Sequence, residues 1–204
     1  MPQTVINKVV SRIYGKGRGW VFAPSHFLDL GTSKAVEMAL SRLLDAGTIR
    51  RLVRGLYDYP RTHEKLGPLS PTPKMIAQAI SKSDGTRLQP SGAYAANLLG
   101  LSDQVPAKIV FLTDGAEKTV QVGTQTIRLR RTTPKNMVTA DRMSGLVIQA
   151  FRYLGKDHVR PKQVNWLRDK LPTDDKARLW RDRVYAPTWM HPYFKQISEE
   201  GGES

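Results

Sequence analysis

Cysteine is absent from the 204-residue chain, which excludes disulfides, thiol catalysis and cysteine-held zinc. Histidine is scarce, and His26, His63, His158 and His191 stand far apart with no metal-ligand spacing between them. No run approaches the roughly 18 apolar residues that a membrane-crossing helix needs. The opening MPQTVINKVVSRIYG lacks the continuous apolar stretch of a secretory signal. The expected location is therefore cytoplasmic, with no membrane partner. Acidic residues are the other shortage. Eighteen Asp and Glu face 32 Lys and Arg, a net charge of +14, and such an excess points to a polyanionic partner, nucleic acid first.

Both halves carry the excess. Residues 1–60 hold nine basic against four acidic residues, +5, and residues 61–204 hold 23 against 14, +9. A chain that met DNA through its first domain alone would not need a basic second one, although a solvated basic face is the blander account. Hydrophobic residues at 40% and charged residues at 25% are ordinary globular composition. The length suits one sizeable core or two small ones.

Apolar periodicity marks a first helix over Thr4 to Ile13, broken by GKGRG. A short strand at Trp20 to Phe22 and a brief helix from Pro24, capped by Ser25, follow. A third helix is capped by Ser33 and closed by Gly47. Thr48 to Val53 and Leu56 to Tyr59 read as strands around an Arg54-Gly55 turn. Helix, strand, helix, helix, hairpin is the order of a winged helix-turn-helix. The predicted class is α+β, with this domain over 1–60, a Pro-rich linker over 61–73 and an α/β C-terminal domain over 74–198. A disordered tail is predicted at 199–204. The second domain is expected to hold a small, mostly antiparallel sheet, with KIVFLTDG as its central strand, TVQVG and TIRLR as a hairpin, and several helices.

In the third helix Val36, Ala39, Leu40, Leu43 and Leu44 share the packing face, and Lys34, Met38, Ser41, Arg42 and Asp45 lie opposite. Lys34 and Arg42 suit phosphate or guanine, Met38 suits a thymine methyl, and Ser41 is permissive. Ser33 and Glu37 complete the set at its edge. The hairpin adds Arg50, Arg51 and Arg54. Strand alternation sends Arg50 and Arg51 to opposite faces, so Arg54 at the turn is the firmest phosphate contact. Lys16 and Arg18, in the glycine hinge, are available to a DNA backbone. In the second domain Arg128, Arg130, Arg131 and Lys135 form a basic patch without acids between Glu117 and Asp141.

Catalytic signatures are missing. GKGRG follows a helix and lacks the Ser or Thr of a phosphate-binding loop. Ser91 has no nucleophile elbow around it and reads as a helix cap. Trp166, Trp180 and Trp189 fit core or interface positions. No catalytic residue, cofactor or metal is expected.

The segments GRGWVFAPSHFLDLG, AVEMALSRLLDAGTIRRLVRGLYDYP, PSGAYAANLLGLSDQVPAKIVFLTDG and SGLVIQAFRYLG together resemble the AbiEi family of bacterial antitoxins. The similarity runs from about Val5 to Leu154, with APTWMHPYFKQI a weaker echo. The resemblance implies a winged-helix domain joined to a larger α/β domain, and an antitoxin of a type IV toxin–antitoxin or abortive-infection (antiviral defence) system. It implies a repressor of its own operon that binds inverted repeats in double-stranded promoter DNA, as a monomer in solution or cooperatively on the repeats. The functional partner it implies is a nucleotidyltransferase toxin, countered without a stable complex. The alternatives are a nucleic-acid-acting enzyme that reverses the toxin's modification, or a winged helix used for protein contact.

Overall fold

The structure, a computed structural model, describes residues 4–84 and 86–199. It is a mixed α+β chain that falls into two units. One comprises Met1–Gly85 with Val120–Gly123, the other Thr86–Thr119 with Thr124–Ser204. The expected tail lies, beyond Glu199, outside the described residues.

In the first unit α1 spans Val5–Lys16. Thr4 caps it by accepting the Asn7 N–H, and Gly17 ends it at φ +81°, a conformation that favours glycine. Strand β1 is Val21–Phe22. Where a second helix is expected the chain makes only a 3₁₀ turn, Pro24–Phe27, with Ala23 rather than Ser25 before it. That segment is tied to α1 by Arg12, whose guanidinium grips Asp29 at 2.6 and 2.7 Å and donates to the His26 carbonyl. The same fork draws the Asp29 carboxyl below its ordinary range. Helix α2 spans Ser33–Asp45 and is capped by Thr32, not by Ser33, whose hydroxyl instead donates to Glu37 at 3.2 Å.

Strands β2, Arg50–Val53, and β3, Leu56–Asp58, form the hairpin, with Gly55 at φ +78° in the turn. The sheet order is β1-β3-β2, all antiparallel, with a bulge between Arg51 and Val53. Its rows set two faces. Phe22, Tyr57 and Arg51 share one, where Phe22 and Tyr57 pack with Val9, Ile13, Phe27, Val36 and Leu40 of the helices. Val21, Asp58 and Arg50 share the other.

The stretch expected to link two domains is structured. It holds a two-residue ladder, β4 at Thr62–His63 with β5 at Gly67–Pro68. Helix α3, Pro73–Asp84, follows and packs against β1. The first unit thus runs past the expected boundary at residue 60, because α3 supplies Ile76, Ala77 and Ala79 as buried apolar residues.

The second unit carries β6, Leu88–Ser91, then α4, Gly92–Leu98. Strand β7 is Lys108–Thr113, β9 is Gln125–Arg131, and β8 is Lys118–Val122, of which residues 120–122 are counted with the first unit. The order β6-β7-β9-β8 places β7 in the interior, as its apolar run requires. Strand β6 pairs antiparallel with β7, but β7 pairs parallel with β9, so the sheet is mixed. Helices α5 (Pro134–Met137), α6 (Met143–Leu154), α7 (Pro161–Lys170), α8 (Thr173–Asp182) and α9 (His191–Ser198) complete the unit. Val147, Ile148 and Phe151 of α6 meet Leu167, Leu179, Phe194 and Ile197 in one core. Trp180 and Trp189 pack at its edge, whereas Trp166 is 43% exposed and donates to the Leu99 carbonyl at 2.9 Å.

Candidate nucleic-acid interface

Helix α2 presents its polar side to solvent because Val36, Ala39, Leu40 and Leu43 anchor the other side. Lys34, Glu37, Met38, Ser41 and Arg42 are all exposed, Met38 by 51%. The side chains of Lys34, Ser41 and Arg42 make no hydrogen bond or ion pair among the described residues. An exposed methionine between two unpaired cations is an incomplete surface, since nothing in the chain covers its apolar end.

The three hairpin arginines separate by role. Arg54 stands exposed at the turn with no partner among the described residues. Arg51 is exposed too, with its guanidinium 5.6 Å from the Tyr57 ring centre. Arg50 is different. It donates twice to Asp58, at 2.7 and 3.1 Å, and once to the Leu69 carbonyl at 2.8 Å. Asp58 is 1% exposed, and both its carboxylate oxygens accept from this partner. The hydrogen bonds to Asp58 hold the Arg50 guanidinium above its ordinary value. Three Arg50 N–H bonds are thus spent inside the chain, which gives it a structural task that Arg51 and Arg54 do not have.

Lys16 is exposed at the end of α1. Arg18 lies 4.8 Å from the Tyr59 ring centre and donates to the Pro60 carbonyl at 3.0 Å. Arg61 in turn donates to the Arg18 carbonyl at 3.1 Å. Tyr14 and Tyr59 adjoin, ring centres 5.4 Å apart. The result is a second basic cluster with aromatic faces, which sequence reasoning missed in part by assigning Arg61 to a linker.

The expected patch of the second unit divides. Ile127 and Leu129 are buried under the sheet, which sends Arg128 and Arg130 to the opposite face. Arg128 pairs with Glu117 at 3.4 Å, and the Arg131 backbone N–H also donates to Glu117. The acid that bounds the stretch in sequence thus sits on the patch itself. Lys135 is exposed in α5. Arg130 lines a cavity together with Arg152. Among the described residues no group of three or more His, Asp or Glu could hold a metal ion. No helix among them is long and apolar enough to cross a membrane.

A family model matches residues 8–179, most of the chain. The chain belongs to the DUF6088 family. That family is described as one of unknown function. Among curated proteins none matches this DUF6088 member. A solved structure, the RV2827C protein from Mycobacterium tuberculosis, is similar at 18% identity and TM-score 0.43, over 100% of this chain and 79% of that one.

Proposed function

We propose that this DUF6088 chain is a DNA-binding autorepressor and antitoxin whose first unit works as a winged helix-turn-helix. In this reading α2 enters a major groove and reads bases with Lys34, Met38, Ser41 and Arg42, while the β2–β3 hairpin lays Arg54 and Arg51 on flanking phosphates. The observation that carries it is the polar face of α2, unpartnered and exposed, running directly into a hairpin with an unpaired arginine at its tip. The order β1-β3-β2, in which the early strand flanks the hairpin, also supports it. The 3₁₀ turn at Pro24–Phe27 stands where this reading would put a full helix.

The antitoxin half rests on the resemblance of four sequence segments to AbiEi antitoxins, and it assigns a nucleotidyltransferase toxin as functional partner. Footprinting of the promoter upstream of the chain's own gene tests the first half. Protection of inverted repeats is the expected result, and a promoter left unprotected removes the repressor reading. Co-expression with a nucleotidyltransferase from a neighbouring reading frame tests the second, with restored growth expected.

A further inference from the structure

One face of the second unit's sheet is polar where a core would be apolar. The registers Gln89↔Leu112 and Leu112↔Arg130 set these three residues in one row, and Ser91↔Val110↔Arg128 form the next. Helix α6 crosses that face. Gly145 lies so close above it that an added Cβ would sit 2.7 Å from Gln89 Oε1. One turn further along, Gln149 accepts the Ser91 hydroxyl at 3.4 Å, and Arg152 and Tyr153 follow. Between sheet, α5 and α6 lies a cavity of about 230 Å³, lined among others by Ser91, Arg130, Asn136, Gln149, Arg152 and Tyr153.

The polar atoms in this cavity are organised and incomplete. Asn136 donates to Thr132 at 2.9 Å and accepts from Arg152 at 2.9 Å, which fixes the Arg152 guanidinium by one nitrogen and leaves its other donors open. Gln149 is 5% exposed, yet its amide N–H groups meet no acceptor among the described residues. The Arg130 side chain has no hydrogen bond or ion pair among them. Neither arginine has a carboxylate within reach, since Glu117 is engaged by Arg128 and the Arg131 backbone. Arg152 is exposed overall, and partial desolvation of its guanidinium lowers it from its ordinary value, a cost that an anion beside it would offset. No His, Asp or Glu lines the cavity, so its charged lining is cationic.

We propose that this cavity binds the phosphate of a nucleotide, a nucleoside monophosphate that is either free or the 5′-terminal residue of a nucleic-acid strand. Two guanidiniums and an amide offer planar, multiple donors of the kind that phosphate oxygens accept. The volume falls below the roughly 300–1,000 Å³ of drug-sized sites and suits a phosphate with its sugar rather than a longer ligand. Tyr153, 51% exposed at the rim, supplies an aromatic face for the base outside.

The inference goes beyond the repressor reading and uses none of its residues in the first unit. Its test is calorimetric titration of the full chain with AMP, adenosine, inorganic phosphate and a short RNA carrying either a 5′-phosphate or a 5′-hydroxyl. Saturable binding of AMP, of the 5′-phosphorylated strand, or of both is expected, with adenosine and the 5′-hydroxyl strand at least tenfold weaker. Binding of the strand without AMP assigns the polymer end, and binding of AMP without the strand assigns the free nucleotide. Arg152→Met and Arg130→Gln should each weaken the bound ligand by about ten- to hundredfold, the usual loss for a charge-assisted hydrogen bond. Both arginines are exposed, so either variant keeps the test open if the other does not fold. Undiminished affinity in a folded variant, no binding of either phosphate ligand at millimolar concentration, or inorganic phosphate binding as tightly as AMP overturns the proposal. Duplex-DNA affinity is read in a separate titration, so failure there is distinguishable from failure here.

Discussion

Arg50 and Asp58 face each other across β2 and β3 as direct cross-strand partners, with the guanidinium 2.7 Å from a carboxylate that is 1% exposed. The pair is asymmetric. The arginine side chain keeps 33% of its exposure and the aspartate keeps almost none. Removing the arginine strands a buried charge, whereas removing the aspartate leaves a cation that reaches water. Arg50→Met should therefore cost about 2–4 kcal/mol, and Asp58→Asn clearly less, at about 1–2 kcal/mol. Urea unfolding of both variants checks the order. Equal losses would mean that the buried carboxylate finds another partner.

In the proposed DNA complex the same pair sets Arg50 apart from the other two hairpin arginines. Arg51→Ala and Arg54→Ala should weaken binding to every duplex sequence alike, because phosphate contacts carry no base information. Each lost contact should flatten the dependence of log K on log salt by about 0.9. Titrations at several salt concentrations read this, and an unchanged slope in both variants takes the hairpin out of the interface.

On α2 the expectation is the opposite. Substituting Lys34, Met38 or Ser41 should change which sequences are preferred more than it changes non-specific affinity. Selection from a random duplex library shows it directly. If wild type and variants return the same site, a different face meets the bases.

Gly145 gives a packing test. An alanine Cβ there would lie 2.1 Å from the Thr139 carbonyl oxygen and 2.7 Å from Gln89 Oε1. The first neighbour is backbone and cannot swing aside. Gly145→Ala should cost about 1–3 kcal/mol despite the helix preference of alanine. A thermal midpoint at or above that of the wild type would show that α6 shifts freely on the sheet.

Fragment boundaries follow from α3. A fragment ending at Arg61 lacks the helix packed on β1 and the Leu69 carbonyl that receives Arg50. It should be markedly less stable than one ending at Asp84, and thermal melts of the two compare them. Matching midpoints would show α3 to be dispensable to the first unit.

The elements that the sequence made legible are those written in local signals. Helices α1 and α2 show in their 3.6-residue apolar spacing, and the β2–β3 and β8–β9 turns in Gly55 and Gly123. Strand β6 was invisible because four residues containing Pro90 look like a loop, and only its place at the sheet edge makes that proline tolerable. The parallel register of β7 and β9 is long-range information with no local mark. The role of Arg50 depends on Asp58 eight residues away, so charge alone made it resemble Arg51 and Arg54. Gln149 and Arg152 were hidden differently. They sit in an apolar helix between Ile148, Phe151 and Leu154, where a polar residue reads as solvent-facing until the sheet beneath it is known.

The parallel pairing also fixes an order of events at the ribosome. Strand β7 emerges next to β6, but its other neighbour is not β8, the next strand made. The β8–β9 hairpin is synthesised after β7, so until β9 exists one row of β7 backbone donors and acceptors has no strand partner. At usual elongation rates the interval from Thr113 to Arg131 lasts about one to four seconds. A nascent chain with Val110, Phe111 and Leu112 on an open strand edge is, for that time, a substrate for chaperones.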